Sequence, residues 1–297
     1  MESTKKSVIT FVLLAGIIAL VAAGVWFQHG ANKMLMQTSR RPIIMSTFQF
    51  NITAVVPMRM SEKLETIFDD AEASARTVEK YMNIYNPASE LSRFNAAPAG
   101  QTVHLSPETV DVLTRSSVLW TETRRAFDIT ILPILRLWKQ VEKADRLPTP
   151  AELRAARNAS RWAFIDLMDA GAIKTLGSAR VDVGGIAKGF AIDQAAQSMI
   201  ESGCAGGIVD IGGDIRCFGE KPSREPWCVG IVNPFTPNDT GHPLAVLGVR
   251  NVAVCTSGNY RRGWTIQGKQ YSHILNPKTG MPVDAYPSVT VVAADAT

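Results

Sequence analysis

No cysteine occurs before Cys204, and the four present (Cys204, Cys217, Cys228 and Cys255) match no zinc-ligand spacing. That excludes a lipid anchor on an N-terminal cysteine. It leaves two readings of the thiols: buried and free in strands, which is favoured, or paired if the chain is exported. Also missing are G-x-x-x-x-G-K-S/T and G-x-G-x-x-G, so neither a P-loop nor a Rossmann dinucleotide site is indicated. No block of Lys and Arg is followed by interleaved aromatics, and the formal charge is only +4, which argues against nucleic acid as a partner. Histidine is scarce, with 4 in 297 residues, so each one counts as a candidate proton carrier.

What is present suits a globular enzyme: 46% hydrophobic and 20% charged residues in a chain able to bury one large core or two modest ones. One stretch departs from this. Val8–Phe27 carries no charge and is long enough to span a bilayer as a helix, and Lys5 and Lys6 precede it. Ala22-Ala23-Gly24 offers small residues for a signal peptidase. Residues 1–27 are therefore expected to be a signal peptide or membrane anchor, 28–42 a linker and 43–297 the folded domain. That domain would face the periplasm from the inner membrane, or be released into it.

Pro42–Val56 reads as one strand entering the core. From Ser61, apolar residues at Leu64, Ile67, Phe68, Ala71, Ala75, Val78 and Met82 have helical spacing, with Ser61 as the expected cap. Ser106-Pro107 predicts a second helix, running to about Arg125. Leu147–Pro150 marks a break before a further short helix. The second half alternates β-branched runs with glycine turns, and Val181–Gly185 is echoed at Val209–Gly213. Between them lies a helix over Ala187–Ser202, stopped by Gly203. Two strands ending in Asp-x-Gly-Gly around a helix predict an α+β core.

Four constellations could carry chemistry, and each has a plain structural reading. In VDVGGIAKGFAID the glycines open a helix whose unpaired N–H groups suit a phosphate, with Lys188 in the first turn and Asp182 before it; alone, this is more often a turn. YNPASELSRFN places Tyr85, able to stack on a flat ring, in a loop that leads into a short helix. Asp128 is a lone carboxylate in the apolar AFDITILPILRLW, or simply a helix cap. His273, before the Pro-Lys-Thr-Gly turn, is a candidate proton acceptor.

In order along the chain, MST at Met45, YNPASELSRFN, FDIT with LW, VDVGGIAKGFAID, GGIVDIGGD, TSG-Y and SHILNPKTGMPV resemble the signature of the ApbE family of FAD:protein FMN transferases, from Ile44 to Thr297. The resemblance implies an α+β, T-fold-related core of two associated parts, with FAD in the cleft between them and Mg2+ at its diphosphate. By matching position it implies FAD contacts at Met45, Tyr85, Ala126, Phe127, Asp128, Asp182, Lys188 and Ser272. It implies a metal ligand in the Gly185 carbonyl and a proton-accepting role for His273. The implied reaction moves FMN onto a Ser or Thr of an acceptor flavoprotein, such as a subunit of a respiratory or ion-pumping complex, and releases AMP. The alternative is a non-catalytic FAD-binding envelope protein. Three departures stand out. Ser46 replaces the usual Gly, and Asn276 the usual Asp. The family's metal-binding A-D-x-x-x-T is expected beyond Thr297, since Asp295 and Thr297 are too close together to substitute; the chain is then either part of a longer protein or has an incomplete metal site.

Overall fold

Alternation of apolar residues along Phe48–Pro57 (β3) sends Phe50, Ile52, Ala54 and Val56 to one face, while Val55 joins a separate cluster on the other. The computed structural model describes residues 20–21, 34–45, 48–239, 241–259 and 263–297. The strand expected over Pro42–Val56 is broken at Met45, whose φ of 50° lies in the left-handed region. Leu35–Arg40 (β1) and Ile43–Ile44 (β2) both pair antiparallel with β3. Beyond β3 the sheet continues through Gly206–Ile211 (β7), Asp214–Gly219 (β8), Val252–Gly258 (β11) and Ser288–Ala293 (β14). A smaller sheet joins Thr102–His104 (β4), Gly171–Lys174 (β6) and Ile165–Met168 (β5), in that spatial order.

Two helices cover one face of the main sheet: Leu64–Met82 (α1) and Ala187–Glu201 (α6). The seven apolar residues whose spacing predicts α1 are the seven it buries. Each large one contributes about 1.5–3 kcal/mol on leaving water. Ser61 is not its cap. Met58–Lys63 forms a 3-10 turn, and the α-helix starts at Leu64 without a side-chain cap. Glu90–Ala96 (α2) and Pro107–Glu122 (α3) are capped by Ser89 and Ser106, whose side chains accept from Ser92 N and Thr109 N. Glu90 ties the two together, accepting from both the backbone N–H and the hydroxyl of Ser106 at 2.9 Å. Helix α3 stops three residues short of Arg125, because Arg124 and Arg125 turn left-handed with φ of 52° and 67°.

On the opposite face, Trp227–Ile231 (β9) and Ala245–Val249 (β10) form a hairpin over Cys217, Val254 and Val55. A third cluster lies apart from both. Helix α4 (Leu132–Lys143) buries Ile134, Leu137, Trp138 and Val141 against Gly263–Ile266 (β12), Lys269–Ser272 (β13) and Leu275. Pro150–Ala159 (α5) starts after the predicted break with a capping box between Thr149 and Glu152.

Among the described residues, all four cysteines are free. Burial pushes the Cys204, Cys217 and Cys255 thiols up to about 11. Near the end of the chain, Asp193 on α6 accepts from Ala296 N at 3.1 Å and Thr297 N at 2.9 Å, and also binds Arg216 at 2.8 Å. Gly189 makes room for this, since a Cβ there would lie 1.8 Å from the Ala296 carbonyl oxygen. The predicted bilayer-spanning segment falls almost wholly outside the described residues, and no described helix is long and apolar enough to cross a membrane.

Candidate active site

The turn after α3 delivers Asp128. Thr123 Oγ1 accepts from Phe127 N at 3.0 Å, and the Arg125 guanidinium sits 4.9 Å from the Trp120 ring centre. Trp120 donates to Asp128 Oδ2 at 3.1 Å, while Asp128 Oδ1 accepts from both the backbone N–H and the hydroxyl of Thr130. The capping role is therefore real: Asp128 caps the 3-10 turn Ile129–Ile131 that leads into α4. Burial still pushes its carboxyl above the usual range, with these three hydrogen bonds and the Arg125 charge opposing the rise.

Asp182 is brought to the same place. Its N–H donates to Ile129 O at 2.7 Å, so the two expected flavin-binding carboxylates lie on segments bonded to each other. Asp182 Oδ1 in turn accepts from Gly184 N at 2.7 Å. Burial raises this carboxyl too, against the Gly184 bond and the attraction of Arg136. Val181–Val183 does not join a sheet, contrary to the strand expected there. A single side chain holds it: Asn95 Oδ1 accepts from Val181 N at 2.8 Å and Asn95 Nδ2 donates to Val181 O at 2.9 Å. Lys174, fully buried at 0% exposure, braces both segments by donating to Asn95 O at 2.8 Å and Ala179 O at 3.3 Å. Burial, reinforced by Arg180, pushes its ammonium down to about 8.

Gly184 and Gly185 are exposed where the chain enters α6. A Cβ at Gly185 would stand 3.2 Å from Phe127 Cε2, and one at Gly184 only 2.9 Å from Asp182 Oδ1, so the turn stays bare and open to close approach. Lys188 follows in the first turn and pairs with Asp214 Oδ2, whose other oxygen accepts from Thr256 N at 2.9 Å. The echo of this motif has a different role. Gly212 and Gly213, with φ of 63° and 97°, form the tight hairpin turn between β7 and β8, braced by Asp210 Oδ1 on Gly213 N at 2.8 Å. It opens no helix, and its service to the site is to place Asp214 against Lys188.

Ser272 and His273 leave β13 on the hairpin that packs on α4. Trp138 stacks on Trp264 with centroids 5.6 Å apart, contacts Tyr271 at 5.5 Å, and donates to Gly280 O at 2.8 Å. Glu142 and Asp145 accept from the N–H groups of Thr265 and Gln267 at 3.1 and 2.6 Å. Ser272 Oγ accepts from Ile274 N at 3.0 Å and so braces the backbone on either side of His273. Asn276, where the resemblance expects Asp, serves the turn as a carboxylate would: its Oδ1 accepts from Lys278 N at 2.9 Å.

Tyr85 is 78% exposed, with Lys139 of α4 lying 5.5 Å from its ring centre. Met45 is anchored elsewhere, its N–H on Glu79 Oε2 of α1 at 2.9 Å, and Ser46 lies outside the described residues. The structure thus joins Phe127, Asp128, Asp182 and Gly185, continues to Lys188 through α6, and carries Ser272 and His273 at the end of β13, on the hairpin packed against α4. Sequence reading missed Lys174, Asn95 and Trp138. The bonds from Lys174 to Asn95 O, from Asn95 to Val181 and from Trp138 to Gly280 span 79, 86 and 142 residues, beyond any local pattern.

A family model described as the ApbE family matches residues 46–297. The FAD:protein FMN transferase of Haemophilus influenzae is 33% identical over 240 residues, spanning 77% of this chain and 68% of that protein. The enzyme of the same name from Vibrio cholerae is 31% identical over 231 residues, spanning 77% and 69%. Among solved structures, the flavin transferase ApbE from Vibrio cholerae superposes with a TM-score of 0.76 at 27% identity, covering 88% of this chain and 83% of that one.

Proposed function

The chain belongs to the ApbE family, and from that premise we propose that it moves FMN from FAD onto a Ser or Thr hydroxyl of an acceptor protein, with Mg2+ at the diphosphate and AMP released. It is a transferase, as its named relatives are. The observation that carries the finer reading is the junction of Asp128 and Asp182 beside a bare glycine turn that opens a 15-residue helix.

The residues fit the dinucleotide. Two carboxyls held above their usual range by burial are suited to take hydrogen bonds from a flavin's polar edge or sugar hydroxyls. The helix N-terminus and Lys188 suit its phosphates. They fit Mg2+ in one way. The carbonyl of the exposed Gly185 would hold the ion together with the substrate's own phosphate oxygens, and the ion would neutralise charge as the diphosphate is cleaved.

In the transfer the acceptor oxygen bonds to the phosphorus on the FMN side, and the bond from that phosphorus to the bridging oxygen breaks. AMP leaves with that oxygen, and the hydroxyl proton passes to His273. Alignment and charge neutralisation supply most of the rate in such a reaction. Incubating the protein with FAD, Mg2+ and a Thr-containing peptide should yield AMP and covalent flavin in equal amounts. FAD binding without either product would support a flavin-binding protein instead. We place the folded part outside the cytoplasm, on the strength of Val8–Phe27 following Lys5 and Lys6. A reporter fused at Thr297 and active only in the cytoplasm would overturn that placement.

A further inference from the structure

Near the Asp128–Asp182 junction lies a concavity of about 270 Å³, lined by Pro133, Arg136, Leu137 and Gln140 of α4 and by Ser178 and Arg180, which closely precede Asp182 in the chain. It is smaller than the roughly 300–1,000 Å³ of sites for whole small molecules, so it suits a side chain better than a dinucleotide. Its lining combines the apolar side chains of Pro133 and Leu137 with two arginines, and the described lining includes no carboxylate. Arg180 is oriented by its own loop, donating to the carbonyls of Gly177 and Ala179. Burial and the nearby charge of Arg136 both disfavour its protonated form, a like-charge arrangement that an incoming anion would relieve.

The cleft's position says what that anion belongs to. The Arg136 charge attracts the Asp182 carboxylate, and Lys139, one turn along α4, lies over the exposed ring of Tyr85. The basic residues of α4 therefore neighbour two expected flavin contacts, the region that a polypeptide bringing its hydroxyl to the diphosphate would approach.

We propose that the Arg136–Arg180 cleft receives an acidic side chain of the acceptor polypeptide, close in sequence to the hydroxyl that takes FMN. Pro133 and Leu137 take the methylene stem, and the guanidiniums donate to the carboxylate. This rests on the flavin-transfer reading for the identity of the partner, but its test does not depend on turnover.

The probes are three labelled peptides that differ only beside a central Thr, carrying Glu, Gln or Lys. Binding to the FAD-saturated protein is followed by fluorescence anisotropy at low salt and at about 0.15 M ionic strength. The Glu peptide should bind at least about tenfold more tightly than the Gln peptide, with the margin narrowing as salt rises. Arg136→Gln should remove the preference, and Arg136→Glu should move it to the Lys peptide. Equal binding of the Glu and Gln peptides to the native protein overturns the proposal, as does a preference that survives Arg136→Glu. A loss of FAD affinity in Arg136→Gln larger than its loss of peptide affinity also overturns it, since the cleft would then belong to the dinucleotide. If no covalent flavin forms while the charge preference and its reversal hold, the transfer reading fails and the cleft assignment stands.

Discussion

Asp128, Asp182 and the glycine turn rest on the main core, whereas Ser272 and His273 ride on a two-stranded hairpin seated on α4 through a separate apolar cluster. In the first region the backbone is pinned by buried hydrogen bonds from Asn95 and Lys174 and continues directly into α6. In the second, an aromatic stack around Trp138 and a few bonds to Glu142, Asp145 and Gly280 set the position. On the proposed roles, the difference puts most of the dinucleotide's expected contacts and the acceptor's proton carrier on mechanically separate supports, with Ser272 alone of the expected FAD contacts sharing the hairpin. Damage to one region should leave the other's measurable quantity largely intact.

His273→Ala tests the separation most severely. Loss of a proton acceptor should slow FMN transfer by about 10²–10⁴-fold, with FAD affinity unchanged by fluorescence titration. A matching loss of FAD affinity would merge the two regions. Trp138→Ala removes the stack and the Gly280 bond, and core truncations of this kind cost about 3–5 kcal/mol. Its transfer rate should fall by about a hundredfold as His273 loses its seat, while FAD binding by the still-folded fraction falls far less. Lys188→Ala is the reciprocal case. A charge-assisted contact of about 1.5–3 kcal/mol would be lost, so FAD should bind roughly tenfold more weakly, while the hairpin's aromatic near-ultraviolet signal stays unchanged.

The smallest effect concerns Lys174. Its ammonium titrates near 8 when folded and near 10.5 when free, so the cost of burying its charge is relieved as pH rises between those values. The unfolded chain holds the extra proton in that window, and stability from this group rises with pH. Cys204, Cys217 and Cys255 act in the opposite sense between about 9 and 11, so the comparison has to be with a variant that keeps them. Urea unfolding should show the stability gap between the native protein and Lys174→Met widening from pH 7.5 to pH 9.5. A gap that stays constant or narrows would remove Lys174 as the titrating group.

Much of the fold was legible where the signal is local. The Ser106-Pro107 start, the periodicity of α1 and the glycine stop of α6 depend on neighbours within a few residues. Ser61 misled because a polar cap residue followed by an acid also fits inside a 3-10 turn that runs on into the helix. Asp-x-Gly-Gly misled in its first copy, which belongs to a segment without a sheet partner; the second does end a strand, β7, though its glycines turn a hairpin. The carboxylates of the site were visible as charges in apolar surroundings. What joins them was not, since the Asp182–Ile129 bond links residues on opposite sides of α4, α5 and the smaller sheet's last two strands.

A β-ladder is redundant, because a strand that loses one rung is still aligned by the rest. The backbone before Asp182 has no such redundancy. One carboxamide stands in for a neighbouring strand, acting as donor and acceptor for the same residue, Val181. Tolerance to substitution should therefore be narrower at Asn95 than at apolar positions nearby, where a shape can be approximated by other side chains. Aspartate keeps the acceptor but turns a carboxylate toward the Val181 carbonyl oxygen; glutamine keeps both groups but sets them a methylene too far; alanine supplies neither. None of the three has the two-sided geometry that fixes where the Asp182 carboxyl stands.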